Sequence, residues 1–412
     1  MNIEMLLINT VAVFFIIAAI LSFIRHRKKK KKKKKLFDAI NKGDKKLFIS
    51  LLEKDDIVNI VNHDGTTPLF NACMKGHEEI VNTLLEKENT NINKATDSGE
   101  TPLCIACYEG HEDIVKALLE KKNIDVNKAD KIGATPLSIA CFKGHESIVK
   151  ALLEKEKIEI NKETETGETP LFIACAKGHI DIVNALLKKD GIEINKADYD
   201  GCTPLYIACI EGHECIVSAL LEKEKIEINK ETETGETPLY VACEKGHEMI
   251  AKALLDKNDI NINKARYDGK TPLYKACDNG LESIVKVLPN KVLPNKESIV
   301  KVLLNKDGIE VNQAESNLGL TPLIIACLQG NEVIVNALLN NQAIEINKAD
   351  KDGSTPLCIA CYEGHEGIVK ALLEKKNIDV NKADKIGSTP LSIATGLGHN
   401  NIVQILKEKG AK

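Results

Sequence analysis

Residues 98–131 read SGETPLCIACYEGHEDIVKALLEKKNIDVNKADK. Gly99 permits the positive φ of a turn. Thr101 is placed to cap a helix whose first residue is Pro102, where a missing N–H costs nothing. Leu103, Ala106 and Cys107 then face inward at helical spacing. Gly110 and His111 interrupt the chain. Ile114, Val115, Leu118 and Leu119 give a second helix its apolar stripe. Ile124, Val126 and Asn127 lead out towards the next hairpin.

The Thr-Pro-Leu of this stretch occurs ten times, beginning at Thr67, Thr101, Thr135, Thr169, Thr203, Thr237, Thr271, Thr321, Thr355 and Thr389. The interval is 34 throughout, except for 50 between Thr271 and Thr321. Self-similarity at that period predicts a stack of supersecondary units. A tetratricopeptide array has the period but lacks the Gly-x-Thr-Pro turn. The residues quoted resemble the ankyrin-repeat family, in a form with one extra residue before the I-x-V-N segment. The resemblance covers roughly residues 36–412, and it implies an all-α solenoid of helix–loop–helix–β-hairpin units.

Two departures stand out. The family usually carries His after Thr-Pro-Leu. Here the position holds Phe70, Cys104, Ser138, Phe172, Tyr206, Tyr240, Tyr274, Ile324, Cys358 and Ser392. The hydrogen bonds of that His are expected to be missing, with packing doing more. The Gly-His pair is kept at His77, His111, His145, His179, His213, His247, His365 and His399, and is lost at Leu281 and Asn331.

Residues 36–63 form a unit without Thr-Pro and read as an N-terminal cap, with Phe37, Ala39, Ile40, Leu47, Phe48, Leu51 and Leu52 as its apolar positions. The last unit runs from Thr389 to Lys412, with Gly410 as its stop and Thr395 in place of Cys where an end unit meets water. The long interval contains a duplication: Glu282–Val287 and Glu297–Val302 are copies 15 residues apart, and one further residue lies near Asn317. Pro289 and Pro294 cannot sit inside a regular helix. The expectation is a long block at 64–281, an irregular segment at 282–304 that stops near Leu288 and restarts near Glu297, and a C-terminal block at 305–412 more loosely coupled to the first. A tolerated tandem duplication explains the segment better than a docking loop. Copying occurs elsewhere too: residues 101–141 and 355–395 differ only at Asp113/Gly367, Ala134/Ser388 and Cys141/Thr395.

The 412 residues are 43% hydrophobic and 28% charged, which excludes a wholly disordered chain. Charge is unevenly placed. Residues 1–35 hold 10 of the 56 basic residues and one of the 60 acids, leaving 46 basic and 59 acidic residues for the array. An acidic array repels phosphate backbones, so nucleic-acid binding is not expected. Nine of the 13 Cys recur at one repeat position and read as small buried apolar residues of a reducing compartment.

Residues 5–24, MLLINTVAVFFIIAAILSFI, carry no charge. As a helix they span ~30 Å, one hydrocarbon core. A cleaved signal peptide wants a shorter apolar stretch with its basic flank in front, so one uncleaved transmembrane helix is the better reading. The basic tract of Arg25, Arg27, Lys28, Lys29, Lys30, Lys31, Lys32, Lys33, Lys34 and Lys35 follows it. That charge places residues 1–4 outside and the array in the cytoplasm, and it suits anionic lipid headgroups. The rival reading makes the apolar segment an export signal and the protein a secreted effector.

Cys104-x-x-Cys107 and Cys358-x-x-Cys361, with His111 or His365 nearby, look like zinc or redox half-sites. Four convergent ligands are lacking, because the second Cys of each pair belongs to the buried series. No phosphate loop, nucleophile elbow, kinase signature or HExxH is present, so neither enzyme activity nor a cofactor is expected. The expected activity is binding of protein partners. The resemblance places partners on hairpin tips and on the exposed face of first helices. The large residues at those positions are Tyr108, Ile132, Phe142, Tyr199, Ile210, Tyr267, Leu318, Leu320, Leu328, Tyr362 and Ile386. For any one of them, packing between neighbouring units is an equally good account.

Overall fold

The computed structural model describes residues 22–23, 27, 30–52, 57–280 and 296–412. The chain divides into two compact units, Met1–Ile192 and Glu193–Lys412. Both are built of short helix pairs, and no strand occurs among the described residues.

In the first unit the first helices of the pairs are Pro68–Lys75, Pro102–Glu109, Pro136–Lys143 and Pro170–Lys177. The second helices are Glu78–Leu85, Glu112–Leu119, Glu146–Leu153 and Ile180–Leu186. Within the unit, first helices stack on first helices and second on second, so successive pairs cover one another's apolar stripes. The second unit repeats the scheme from Pro204–Glu211 to Asn400–Glu408.

Each first helix starts where the sequence dictates. The Thr101 Oγ1 accepts the Cys104 N–H at 3.2 Å, with Pro102 in the first turn. It ends at Gly110, which adopts the left-handed conformation at φ 80°. The second helix has Glu112 and Asp113 in its first turn, where carboxylates favour the helix dipole. Leu103, Ala106, Cys107, Val115 and Leu118 are completely buried. Burial of a Leu of this kind contributes roughly 1.5–3 kcal/mol. All nine serial Cys are buried, and desolvation pushes thiols such as Cys73 and Cys107 far above their ordinary pKa.

The hairpins are turns rather than strand pairs. The Asp130 N–H donates to the Ala134 carbonyl at 3.1 Å, and the Asp130 Oδ1 accepts the N–H groups of Ile132 and Ala134. One backbone bond then joins several hairpins to their neighbours, as from Glu165 N–H to Ile132 O at 2.9 Å. A single bond per step builds no ladder, which is why the expected β-hairpins carry no strands.

A side-chain ladder does more of the joining. The Asn93 Nδ2 donates to Asn123 O at 2.6 Å, and its Oδ1 accepts from Asp125 N–H at 2.9 Å. These partners lie 30 and 32 residues ahead, and Asn127, Asn229 and Asn347 each repeat one or both bonds at the same offsets. At Asn263 the partners are Gly308 O and Glu310 N–H, 45 and 47 residues ahead. At Asn312 they are Ala343 O and Glu345 N–H, 31 and 33 ahead. The ladder thus counts the surplus residues of the long interval: 15 before Gly308 and one more after Asn312.

Helix Lys296–Leu304 takes the second-helix position of that interval, packing against Glu248–Leu255, Pro272–Asp278 and Glu332–Leu339. The first copy, Glu282–Val287, and the expected protrusion at 290–296 (Lys296 apart) lie outside the described residues. First helices Pro272–Asp278 and Pro322–Leu328 pack directly on one another, within one compact unit. The stack of first helices is continuous across this interval.

Residues 30–41 form one helix, so Lys30–Lys35 run without a break into the cap helix that buries Leu36, Phe37, Ala39 and Ile40. No helix among the described residues is long and apolar enough to cross a membrane. The expected span, 5–24, lies outside the described residues except for Ser22 and Phe23.

Candidate partner-binding grooves

The turn at Asp130 holds Ile132 outward, and the first helices Pro102–Glu109 and Pro136–Lys143 hold Tyr108 and Phe142 beside it. Together they line a groove of about 430 Å³ with Ile139, Ile173 and Ala176. Glu100, Asp130, Glu168 and Lys177 line it too. The Lys143 Nζ lies 3.8 Å from the Tyr108 ring centroid, and the Lys177 Nζ lies 4.7 Å from that of Phe142. Both ammonium groups are thus drawn onto ring faces. Tyr108, Ile132 and Phe142 remain 44%, 63% and 48% exposed, which is unusual for clustered large apolar side chains.

A second groove, of about 590 Å³, lies in the other compact unit. It is lined by Leu328, Tyr362, Ile386, Cys358 and Ile393, with Asp350, Asp352, Glu363 and Asp384 against Lys385. Six of the eleven residues expected to meet a partner thus fall in two grooves. The other five do not join them. Tyr199, Tyr267 and Leu318 are exposed at hairpin tips, the Tyr267 ring lying over Gly235 of the preceding hairpin. Ile210 and Leu320 are half-buried and line neither groove. The Ile210 carbonyl lies 3.3 Å from the His247 Nε2, a packing contact between neighbouring pairs.

The acids lining the grooves were readable only as exposed surface. The lysines over the rings were missed altogether. Lys143 follows Tyr108 by one repeat plus one residue, so that offset was the available signal. It places Leu397 after Tyr362, which makes the second groove different there.

The position after Thr-Pro-Leu is buried in nearly every repeat, and some of its polar residues also make bonds of their own. The Ser138 Oγ accepts the Thr135 N–H at 2.7 Å, completing a capping box. The Tyr206 hydroxyl donates to the Glu236 Oε2 at 2.6 Å, and the Arg266 Nη1 pairs with the other oxygen of Glu236 at 3.2 Å. Where the shared His is absent, Ser138 bonds within its own cap and Tyr206 bonds to the next repeat.

The Cys-x-x-Cys segments are occupied locally. The Cys104 Sγ accepts from the Thr101 hydroxyl and lies 3.6 Å from Lys128 O. Burial raises the pKa of both Cys104 and Cys107, so the thiolate that metal binding or exchange requires is disfavoured. Among the described residues no three His, Cys, Asp or Glu side chains converge as metal ligands. His145, which follows Gly144, spends its Nε2 on the Tyr108 carbonyl of the previous pair, 3.3 Å away. Of the basic tract, Arg25, Lys28 and Lys29 lie outside the described residues. The Arg27 guanidinium stands 5.3 Å from the Phe23 ring centroid.

The family model described as Ankyrin repeats (3 copies) matches residues 36–130, 125–198, 195–266, 226–297 and 344–412. A second, described as Ankyrin repeat, matches residues 318–351. No curated protein matches the chain. Capped helix pairs at a 34-residue period, the linked hairpin turns and matches over nearly the whole array lead to one assignment: the chain belongs to the ankyrin-repeat family.

Proposed function

We propose that this protein is a membrane-tethered scaffold whose ankyrin array binds protein partners in the cytoplasm, without catalysis of its own. The observation that carries the binding reading is the convergence of six register-selected residues on two exposed apolar grooves. A rigid stack presenting such grooves suits recognition rather than chemistry.

The tether rests on sequence. The uncharged stretch 5–24 matches a hydrocarbon core, and the tract 25–35 supplies the positive flank that stays on the cytoplasmic side. The same lysines favour anionic headgroups, with about 1 kcal/mol for each one near the surface. Protease treatment of intact membranes carrying a C-terminally tagged chain tests this. A membrane-bound tag that is digested from the cytoplasmic side supports the tether. A protected tag, or one free of membrane, overturns it and makes the apolar segment an export signal.

A further inference from the structure

Taking the array as a protein-binding scaffold, we propose that its two grooves are two copies of one site, each taking a short segment with a large apolar side chain flanked by Lys or Arg. Each chain then binds two copies of the same motif, one in each compact unit.

The two sites share their centres. Residues 101–141 and 355–395 are identical at all but three positions. Tyr108, Asp130 and Ile132 of the first groove correspond to Tyr362, Asp384 and Ile386 of the second. The local geometry is also repeated. The Asp130 Oδ1 accepts Ile132 N–H at 3.0 Å and Ala134 N–H at 2.9 Å, while the Asp384 Oδ1 accepts Ile386 N–H at 3.1 Å and Ser388 N–H at 2.7 Å. In both, the turn bonds through one carboxylate oxygen while the isoleucine points into water, Ile386 being 88% exposed.

Charge specifies the occupant. The first groove carries Glu100, Asp130 and Glu168 against Lys177 and the ring-bound Lys143, and the second carries four acids against Lys385, so acids outnumber lysines in both. A groove lined by apolar side chains and an excess of acids complements a cationic, apolar segment and disfavours an acidic one. Outside that centre the sites differ. Phe142 and Lys143 of the first are replaced by Gly396 and Leu397, Glu100 by Ser354, and Glu168, Ile173 and Lys177 of the first and Leu328, Asp350 and Asp352 of the second have no like counterpart, so the affinities differ while the shared centre keeps the ligand class.

The test uses the full chain in detergent micelles and two labelled synthetic peptides. One carries a Leu-Phe pair between Lys-Arg and Arg-Lys. The other carries the same pair between Glu-Asp and Asp-Glu. Titration calorimetry should find two sites per chain for the basic peptide, and binding about tenfold or more weaker for the acidic one. Tyr108→Ser with Ile132→Ser should remove one site. Tyr362→Ser with Ile386→Ser should remove the other, and all four changes should leave none. These side chains are exposed, so unchanged circular dichroism should accompany each loss. A single site or none in the unaltered chain, equal binding of the acidic peptide, or two sites surviving all four changes overturns the proposal. The scaffold reading stands or falls separately. Cross-linking in cells that captures a partner despite all four changes leaves it intact while this proposal fails.

Discussion

Gly110 and His145 are a matched pair from successive repeats: a β-carbon on Gly110 would stand 2.6 Å from the His145 Cε1. The glycine also sits at φ 80°, so it is required twice, once by its own backbone and once by its neighbour's ring. Gly110→Ala should therefore destabilise the chain by about 1–3 kcal/mol in urea unfolding. His145→Ala removes the ring and its hydrogen bond. The double variant should lose less than the sum of the two single losses, because the clash needs both partners. Additive losses would show that the contact is unimportant.

The grooves predict a separation of binding from stability. Tyr108→Ala and Phe142→Ala remove exposed side chains, so each should shift unfolding by only about 0.5 kcal/mol. Binding of a cross-linkable partner should fall about tenfold or more if these are central contacts. Unaltered partner binding would move the interface to the hairpin tips at Tyr199, Tyr267 and Leu318.

The asparagine ladder should be worth about 1–3 kcal/mol per residue, since Asn127→Ala leaves one carbonyl and one N–H without their partner. Asn263→Ala makes the same change across the long interval. Hydrogen exchange at Gly308–Glu310 should accelerate in that variant and stay unchanged in Asn127→Ala.

Removing residues 282–296 joins Leu281 to Glu297 and restores a single copy of the duplicated text. Helix Lys296–Leu304 already fills the second-helix position, so the shortened chain should fold with its helix content per residue preserved. Its midpoint in urea should lie within about 1 kcal/mol of the original. A large loss of helicity by circular dichroism would mean that the deleted copy is needed.

Glu315 predicts a pH effect with a definite sign. Its carboxylate is buried, which alone would raise its pKa. Donations from the N–H groups of Asn317, Leu320, Leu318 and Gly319 outweigh burial and hold it below the usual carboxylate range. A depressed folded pKa gives stability that is present above the unfolded value and lost as pH falls through the folded one. Unfolding in urea at a series of acidic pH values should show this loss, and Glu315→Gln should flatten that part of the profile while lowering stability at neutral pH.

How much of this was legible in the sequence depends on how far apart the deciding residues lie. The Thr101 cap, Pro102 and the stripe from Ile114 to Leu119 are local, and repetition at a fixed period made the fold readable. The grooves were half readable. Tyr108, Ile132 and Phe142 were found from register, because exposed apolar residues at one repeat position stand out. Asp130 and Lys143 were not, because a carboxylate beside a groove and an ammonium over a ring look like ordinary surface until the next repeat is in place. Glu315 shows the same limit. It stands where Asp130, Asp198, Asp350 and Asp384 stand in four other turns, and its longer side chain reaches amides across a turn with one extra residue. Only the folded turn reveals why Glu stands there.

The asparagine bonds carry a consequence for how such a chain changes length. Every link is defined by an offset to the next repeat, so inserting a whole 34-residue block recreates each link with no residue needing to adapt. The near-identity of 101–141 and 355–395 is what growth by this route leaves behind. Additions of other sizes must be absorbed between one asparagine and its partners, as Asn263 does by reaching partners 15 residues farther along than usual. The molecule is therefore extensible in the manner of a ruled strip: lengthening it by whole divisions preserves every mark, and a partial division is hidden between two marks.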